Sequence, residues 1–220
     1  ITDSLVGSEM CIRDRYCPEQ LGGTGLSRMD AALLLEELAQ GCTSTAAYIS
    51  IHNMAAWMVA TWGSADVQAQ WLGDLAAGRK FASYCLTEAN AGSDAASIKT
   101  SAQRVADHYV INGAKAFISG AGDTDVLVVM ARTGGSGPGG ISAFVVPSDT
   151  PGISFGKNET KMGWNSQATR AITFEDARIP AVNRLGDEGE GFAIAMRGLE
   201  GGRINIAACL LYTSDAADEE

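Results

Sequence analysis

The chain is short of basic residues and of histidine. Its 220 residues hold 16 Lys and Arg against 26 Asp and Glu, a formal net charge of −10, and only 2 His. Phosphate-rich partners are bound mainly through clustered Lys and Arg, so this balance argues against unaided binding to nucleic acid or to an anionic membrane surface. Two histidines with no cysteine or carboxylate partner at ligand spacing cannot make a zinc enzyme, and no metal site is expected. No Ser-His-Asp arrangement can be built either: His52 sits among apolar neighbours and reads as a hydrogen-bonded packing residue, while His108 reads as the exposed opening of a hairpin. The five cysteines are odd in number and form no CxxC pair. That excludes a disulfide framework and points to a reducing compartment. No apolar run reaches the roughly 18 residues of a membrane span, so a soluble chain is expected. What the sequence does have is a 46% hydrophobic content, enough for a core, and 26 Gly, well above the ordinary share of about 7%.

The hydrophobic period divides the chain into helices, then strands, then helices. Ser27 with Asp30 three positions on is a capping-box start, and Ala31, Leu34, Leu35 and Leu38 recur at helical spacing. Ala47, Ile51, Met54, Ala55, Met58 and Trp62 form a second stripe that ends at Gly63; Ser64 caps a third helix carrying Val67, Trp71, Leu72 and Leu75, with Gly78 as its stop. From about residue 82 the pattern becomes β. Tyr109 to Ile111, Asn112-Gly113, then Ala114 to Ser119 predict a hairpin with a type I′ turn at Asn-Gly. Val126 to Arg132, Ile141 to Pro147 and Ala171 to Phe174 are further strands. From Gly191, the residues Phe192, Ala195, Met196 and Leu199 return to helical spacing.

The glycine run Gly134 to Gly140 invites a phosphate-cradle reading. It lacks the Lys-Ser/Thr of a P-loop and leads into a strand rather than a helix N-terminus, so it is expected to be a flexible hairpin loop, and a Rossmann dinucleotide site fails on the same ground. The segment Tyr84-Cys85-Leu86-Thr87-Glu88-Ala89-Asn90-Ala91-Gly92-Ser93 is more informative. Its small residues let the backbone approach a flat ligand, and Thr87, Ser93 and free N–H groups supply hydrogen bonds.

The two ends share an unexpected relation. Met10-Cys11-Ile12-Arg13-Asp14-Arg15 can be coded ATG TGT ATA AGA GAC AGN, and the reverse complement read in another frame contains codons for Cys-Leu-Leu-Tyr-Thr, the residues Cys209 to Thr213. Both ends resemble translated sequencing-adapter sequence, with half of the net negative charge lying in them. The expected organisation is therefore 1–15 adapter-derived, 16–81 a partial N-terminal helical domain, 82–184 a central β-domain, 185–208 the start of a C-terminal helical domain, and 209–220 adapter-derived.

The Tyr84 to Asp94 segment resembles the flavin-binding signature of the acyl-CoA dehydrogenases. Four further motifs stand in family order, one before it and three after it: Pro18-Glu19-Gln20-Leu21-Gly22-Gly23-Thr24-Gly25, then Phe117-Ile118-Ser119, Phe174 to Pro180, and Gly186 to Phe192. The resemblance implies an α+β fold with an N-terminal helical part, a central β-barrel-like domain and the start of a C-terminal four-helix bundle, covering roughly half of a full family member. It implies FAD as cofactor, lined by Tyr84, Cys85, Leu86, Thr87, Glu88, Ala89, Asn90, Ala91, Gly92, Ser93, Phe117, Ile118 and Ser119. Acyl-CoA would be contacted by Ser93, Glu200, Gly201, Gly202 and Arg203. The implied reaction is α,β-dehydrogenation of an acyl-CoA thioester, a carboxylate taking the α-proton as the flavin takes the β-hydrogen with its electrons. Position 202, where one branch of the family carries its base, is glycine here, so the general-base Glu is expected beyond Ala208. The Phe117 to Gly122 and Gly163 to Gln167 segments resemble the isobutyryl-type branch. Electron-transfer flavoprotein as partner, a homotetramer, and a bacterial cytoplasmic or mitochondrial-matrix location follow from the same resemblance. An acyl-CoA or nitroalkane oxidase on the same scaffold, or a non-catalytic binding module, is the alternative.

Overall fold

The computed structural model describes residues 17–218, with side-chain surroundings for residues 17–211, so the reading of 1–15 lies outside the described residues. Among the described residues, three α-helices and eight strands follow the predicted order. Helix α1 spans Arg28–Trp62. The expected capping box is present: Ser27 Oγ accepts from the N–H of Asp30, and Asp30 Oδ2 accepts from the N–H of Ser27, both at 3.2 Å. The two expected helices of this region run on as one, kinked where Cys42 adopts extended backbone (φ −163°, ψ 105°). Before the kink only Ala31, Leu35 and Ala39 are buried, one stripe at i+4; after it most residues from Ala46 to Ala60 are buried, as suits a helix covered on all sides. Helix α2 (Ala65–Ala76) begins at Ser64, whose Oγ accepts from the N–H of Val67 at 3.3 Å.

The strands are β1 (Ala82–Cys85), β2 (Ser101–Val105), β3 (His108–Ser119), β4 (Val126–Arg132), β5 (Ile141–Pro147), β6 (Ile153–Phe155), β7 (Thr169–Pro180) and β8 (Arg184–Leu185). They form one sheet in the order β6-β7-β3-β2-β4-β5-β8, with β1 added parallel to β4; the path is open, ending at β6 and β8. The continuous apolar run of β4 is buried on both faces. Val126, Val128 and Met130 join the core that includes the helices, and Leu127, Val129 and Ala131 join a second core between the sheet's own halves.

The hairpin expected at Asn112-Gly113 is not there. Strand β3 runs straight through these residues, and the chain turns instead at Ala106 and Asp107, between the paired Val105 and His108. Asn112-Gly113 serves a bulge opposite β7. The Asn112 amide donates to Asp176 Oδ1 (3.0 Å) and accepts from the Asp176 N–H (2.9 Å). A Cβ at Gly113 (φ 141°) would lie 2.6 Å from Thr100 Cα, so the glycine answers a close backbone approach as well as a φ that L side chains avoid.

The glycine-rich loop does join β4 to β5, but it is held rather than loose. The Arg132 guanidinium donates to the carbonyls of Ala96, Ile98, Gly135 and Gly137. Helix α3 (Gly191–Asp218) packs against α1 and begins where a C-terminal helix was expected. It continues without interruption through 209–218, with Cys209 buried beside Leu35.

Candidate functional site

A cleft of about 560 Å³ opens where the helices meet the sheet. Its sheet wall is made by Tyr84 at the end of β1, Thr87 just beyond, and Phe117, Ile118 and Ser119 at the end of β3. Its helical wall is made by Ser50, Ile51 and Met54 of α1 and by Leu199, Gly202, Arg203, Ile206, Ala207 and Leu210 of α3.

Backbone bonds fix the sheet wall. The Thr87 carbonyl accepts from the N–H of Ala116 at 2.9 Å, and the Ser119 carbonyl accepts from Ser83 Oγ at 2.7 Å. The hydroxyls of Thr87 and Ser119 themselves bond to no protein atom among the described residues, which leaves both for something in the cleft. Phe117 stands beside them at φ 57°, a left-handed conformation that a bulky residue holds at a cost of about 1–3 kcal/mol. It lies in a register irregularity between Lys115 and Ile118, and the residue is 65% exposed on the cleft rim.

Lys115 lies buried behind this wall. Its Nζ donates to the Leu86 carbonyl at 3.1 Å and to Glu88 Oε1 at 2.8 Å. Burial pulls the Lys115 ammonium below the ordinary lysine range, with the Glu88 carboxylate opposing. Burial also disfavours the charged form of Glu88, yet the Lys115 charge and the hydrogen bonds to the carboxylate leave it below the usual carboxylate range.

Other ionisable groups at the wall are inert near neutrality. Burial pushes the Tyr84 phenol far above its ordinary value, the Arg203 charge opposing, and its OH donates to the Ala195 carbonyl at 3.4 Å. Burial pushes the Cys85 thiol up to about 12, which excludes a nucleophilic thiolate there. None of the described residues lining the cleft is Asp or Glu, so none of them is a carboxylate base.

Of the expected flavin residues, Tyr84, Thr87, Phe117, Ile118 and Ser119 come together on this wall. Cys85 and Leu86 point into the two cores, Ala91 is buried, and Glu88 is engaged with Lys115. Ala89 and Asn90 border a separate cleft with Lys99 and Thr100, while Gly92 and Ser93 are exposed on the loop beyond. Of the expected acyl-CoA residues, Gly202 and Arg203 reach the cleft; Glu200 is exposed on another face of α3, and Gly201 is turned towards Arg28. The wall supplied by Ser50, Ile51, Met54, Ile206 and Ala207 was not foreseen as a site. Ile51 and Met54 do stand out as an apolar stripe, but periodicity does not separate a packed stripe from one facing an open cleft. Lys115 also went unforeseen, although it shares the inward parity of Tyr109 and Ile111, a position where a lysine needs a buried partner.

Two free hydroxyls beside an exposed aromatic ring on an apolar cleft suit a flat heteroaromatic ring bearing carbonyl and ring-nitrogen acceptors. The residues present therefore fit the isoalloxazine of FAD.

The class of protein follows from comparison with known families. Residues 14–79 match the N-terminal domain of acyl-CoA dehydrogenases and residues 83–177 match the middle domain, and the chain belongs to the acyl-CoA dehydrogenase family. Among individual proteins it is similar to mitochondrial isobutyryl-CoA dehydrogenase of Bos taurus, 57% identical over 202 residues, covering 92% of this chain and 49% of that protein. The corresponding Dictyostelium discoideum protein is 54% identical over 197 residues, covering 89% and 47%. The solved structure of butyryl-CoA dehydrogenase from Megasphaera elsdenii superposes with a TM-score of 0.90 at 37% identity, covering 98% of this chain and 57% of that one. The chain thus spans about half the length of the curated relatives it matches. Among the described residues no helix is long and apolar enough to cross a membrane, and no group of His, Cys, Asp and Glu could hold a metal ion.

Proposed function

We propose that the chain is part of an FAD-dependent acyl-CoA dehydrogenase that desaturates a short branched acyl-CoA of the isobutyryl type. The observation that carries this reading is the pairing of two unpartnered hydroxyls and an exposed, strained Phe117 on one wall with an apolar helical wall opposite. Bound FAD would supply the two-electron acceptor. Thr87 and Ser119 would bond its ring polar atoms, and Tyr84 and Phe117 would flank it. Ile51, Met54 and Leu199 give the cleft an apolar side suited to a short acyl chain. Arg203 and the neighbouring helix backbone would lie towards the thioester end, and Ser93, with Glu200 and Gly201, towards the rest of the acyl-CoA. Hydrogen bonds to the thioester carbonyl would stabilise the enolate-like charge that follows loss of the α-proton.

Among the described residues the cleft lining carries no carboxylate, so the chain is expected to bind without turning over, the general base being a Glu that none of these lining residues supplies. In the whole enzyme, electron-transfer flavoprotein would receive the electrons, the assembly would be a homotetramer, and the compartment would be the mitochondrial matrix or the cytoplasm of a bacterium.

The test is an anaerobic titration of the FAD-loaded chain with isobutyryl-CoA and with butyryl-CoA. The expected result is a shift of the flavin spectrum without bleaching, saturating at lower concentration for isobutyryl-CoA. Bleaching would place a base within this chain. A flavin spectrum indifferent to both thioesters would remove the substrate reading.

A further inference from the structure

Lys115 and Glu88 are the most deeply buried ion pair among the described residues, with side-chain exposures of 0% and 10%. Neither lines the cleft assigned to FAD. We infer that this pair is a positioning device for the cofactor wall, holding Thr87 from both sides and fixing the strand that carries Phe117. The inference rests on the flavin reading and names what aims its polar groups.

The geometry is specific. Lys115 Nζ bonds the carbonyl of Leu86 and the carboxylate of Glu88, the residues immediately before and after Thr87. Thr87 is itself tied to β3 by the Ala116 N–H, one residue past Lys115. Glu88 is anchored in turn: Oε2 accepts from the N–H of Lys99 at 2.7 Å and Oε1 from the N–H of Thr100 at 3.0 Å. The Glu88 backbone closes a two-way bridge with Ala91. Three consecutive residues around the Thr87 hydroxyl are therefore pinned to β3 and to the segment that leads into β2. Two residues beyond Lys115 the chain enters the left-handed conformation of Phe117, which persists only where its surroundings over-determine it.

Stability alone does not call for this arrangement. A buried ion pair can be replaced by uncharged groups of similar volume at little cost, because desolvation offsets most of the attraction. Directional bonds supply what an apolar seam lacks, a fixed position for a hydroxyl that must meet a ligand atom.

The experiment compares FAD affinity with thermal stability in the 220-residue chain. The double variant Lys115→Met/Glu88→Gln removes both charges together; the Gln amide oxygen keeps an acceptor for one of the Lys99 and Thr100 N–H groups, which bond separate carboxylate oxygens. The expected result is a melting temperature within a few degrees of the unaltered chain, and an FAD dissociation constant raised about tenfold. A purely structural pair would leave the affinity unchanged, and that result overturns the inference. Glu88→Asp provides a second reading should the double variant unfold: it preserves the charge while drawing the carboxylate back by one methylene. Its FAD affinity is expected to fall at least severalfold with the fold intact, and an unaltered affinity there also overturns the inference. Failure of the unaltered chain to bind FAD would overturn the cofactor reading first and this inference with it, so the two failures are distinguishable.

Discussion

The two walls of the cleft are built by opposite means. The sheet wall is held by directional bonds: a buried ammonium, carbonyl-to-amide ties on either strand, and one strained aromatic residue. The helical wall is held by contact between long side chains and a row of glycines. A Cβ at Gly198 would lie 1.9 Å from Met58 Cε, at Gly201 1.5 Å from Arg28 Nη1, and at Gly202 3.2 Å from Met54 Sδ. The missing side chains of α3 let the methionines and the arginine of α1 lie directly against it. In this division the sheet wall decides where polar atoms sit, and the helical wall decides the shape of the apolar space. His52 joins the two, its Nε2 bonding the Leu75 carbonyl at the end of α2 and its Nδ1 accepting from the N–H of Ala82 at the start of β1.

The largest effect should come from breaking the sheet wall on one side only. Lys115→Ala leaves the Glu88 carboxylate buried without its counter-charge, and is expected to cost about 3–5 kcal/mol in urea unfolding; a loss under about 1 kcal/mol would show that the pair is already solvated.

Next is the seam at His52. Burial holds its pKa near 4, below the ordinary 6.5, with the Leu75 carbonyl opposing. Because Nδ1 accepts a backbone N–H, the folded chain has no ready place for a second proton, and the unfolded chain takes one more easily. Stability should therefore be full above pH 6.5, fall as the pH drops towards 4 and level off below, by roughly 3 kcal/mol in all. The measurement is the difference in unfolding free energy between the unaltered chain and His52→Gln from pH 7 to 4; a difference that does not change with pH would contradict the assignment.

Perturbing the helical wall should have a smaller and different effect. Gly198→Ala drives a methyl into the flexible end of Met58, and the repacking this forces is offset by the roughly 1 kcal/mol that alanine gains over glycine inside a helix, so the net cost is expected to stay under about 2 kcal/mol. The substitution should weaken isobutyryl-CoA binding while leaving FAD affinity unchanged, and equal loss of both ligands in parallel titrations would erase the distinction between the walls. The smallest effect lies furthest from the cleft: Ser27→Ala removes the capping box of α1 and should cost about 1 kcal/mol, read by thermal melting, with neither ligand affected.

The helical elements were legible because their signals are local. Ser27 and Ser64 cap where they stand in the sequence, Gly63 ends α1, and the stripe of α2 is read from four residues. The kink at Cys42 was not legible, since tertiary packing of the α1 halves keeps the chain helical on both sides of it. Asn112-Gly113 misled because the dipeptide that favours a hairpin turn also suits a bulge, and only the approach of Thr100 and the bond to Asp176 decide between them. In the site, Tyr84, Thr87, Phe117, Ile118 and Ser119 were readable as a motif. Ser50, Met54 and Lys115 were not, because each acquires its role from a partner more than 25 residues away in the chain, the Lys115 and Glu88 pair being separated by 27.

The central claim is that the hydroxyls of Thr87 and Ser119 face a bound flavin. Its most direct test is a fluorescence-quenching titration of FAD into the unaltered chain and into Thr87→Val/Ser119→Ala, with melting temperatures recorded for both. Neither hydroxyl bonds to another described residue, so stability should be unchanged, while the loss of two ligand hydrogen bonds should weaken FAD binding about tenfold. Equal FAD affinity in the two chains, or no saturable binding by the unaltered one, would contradict the account.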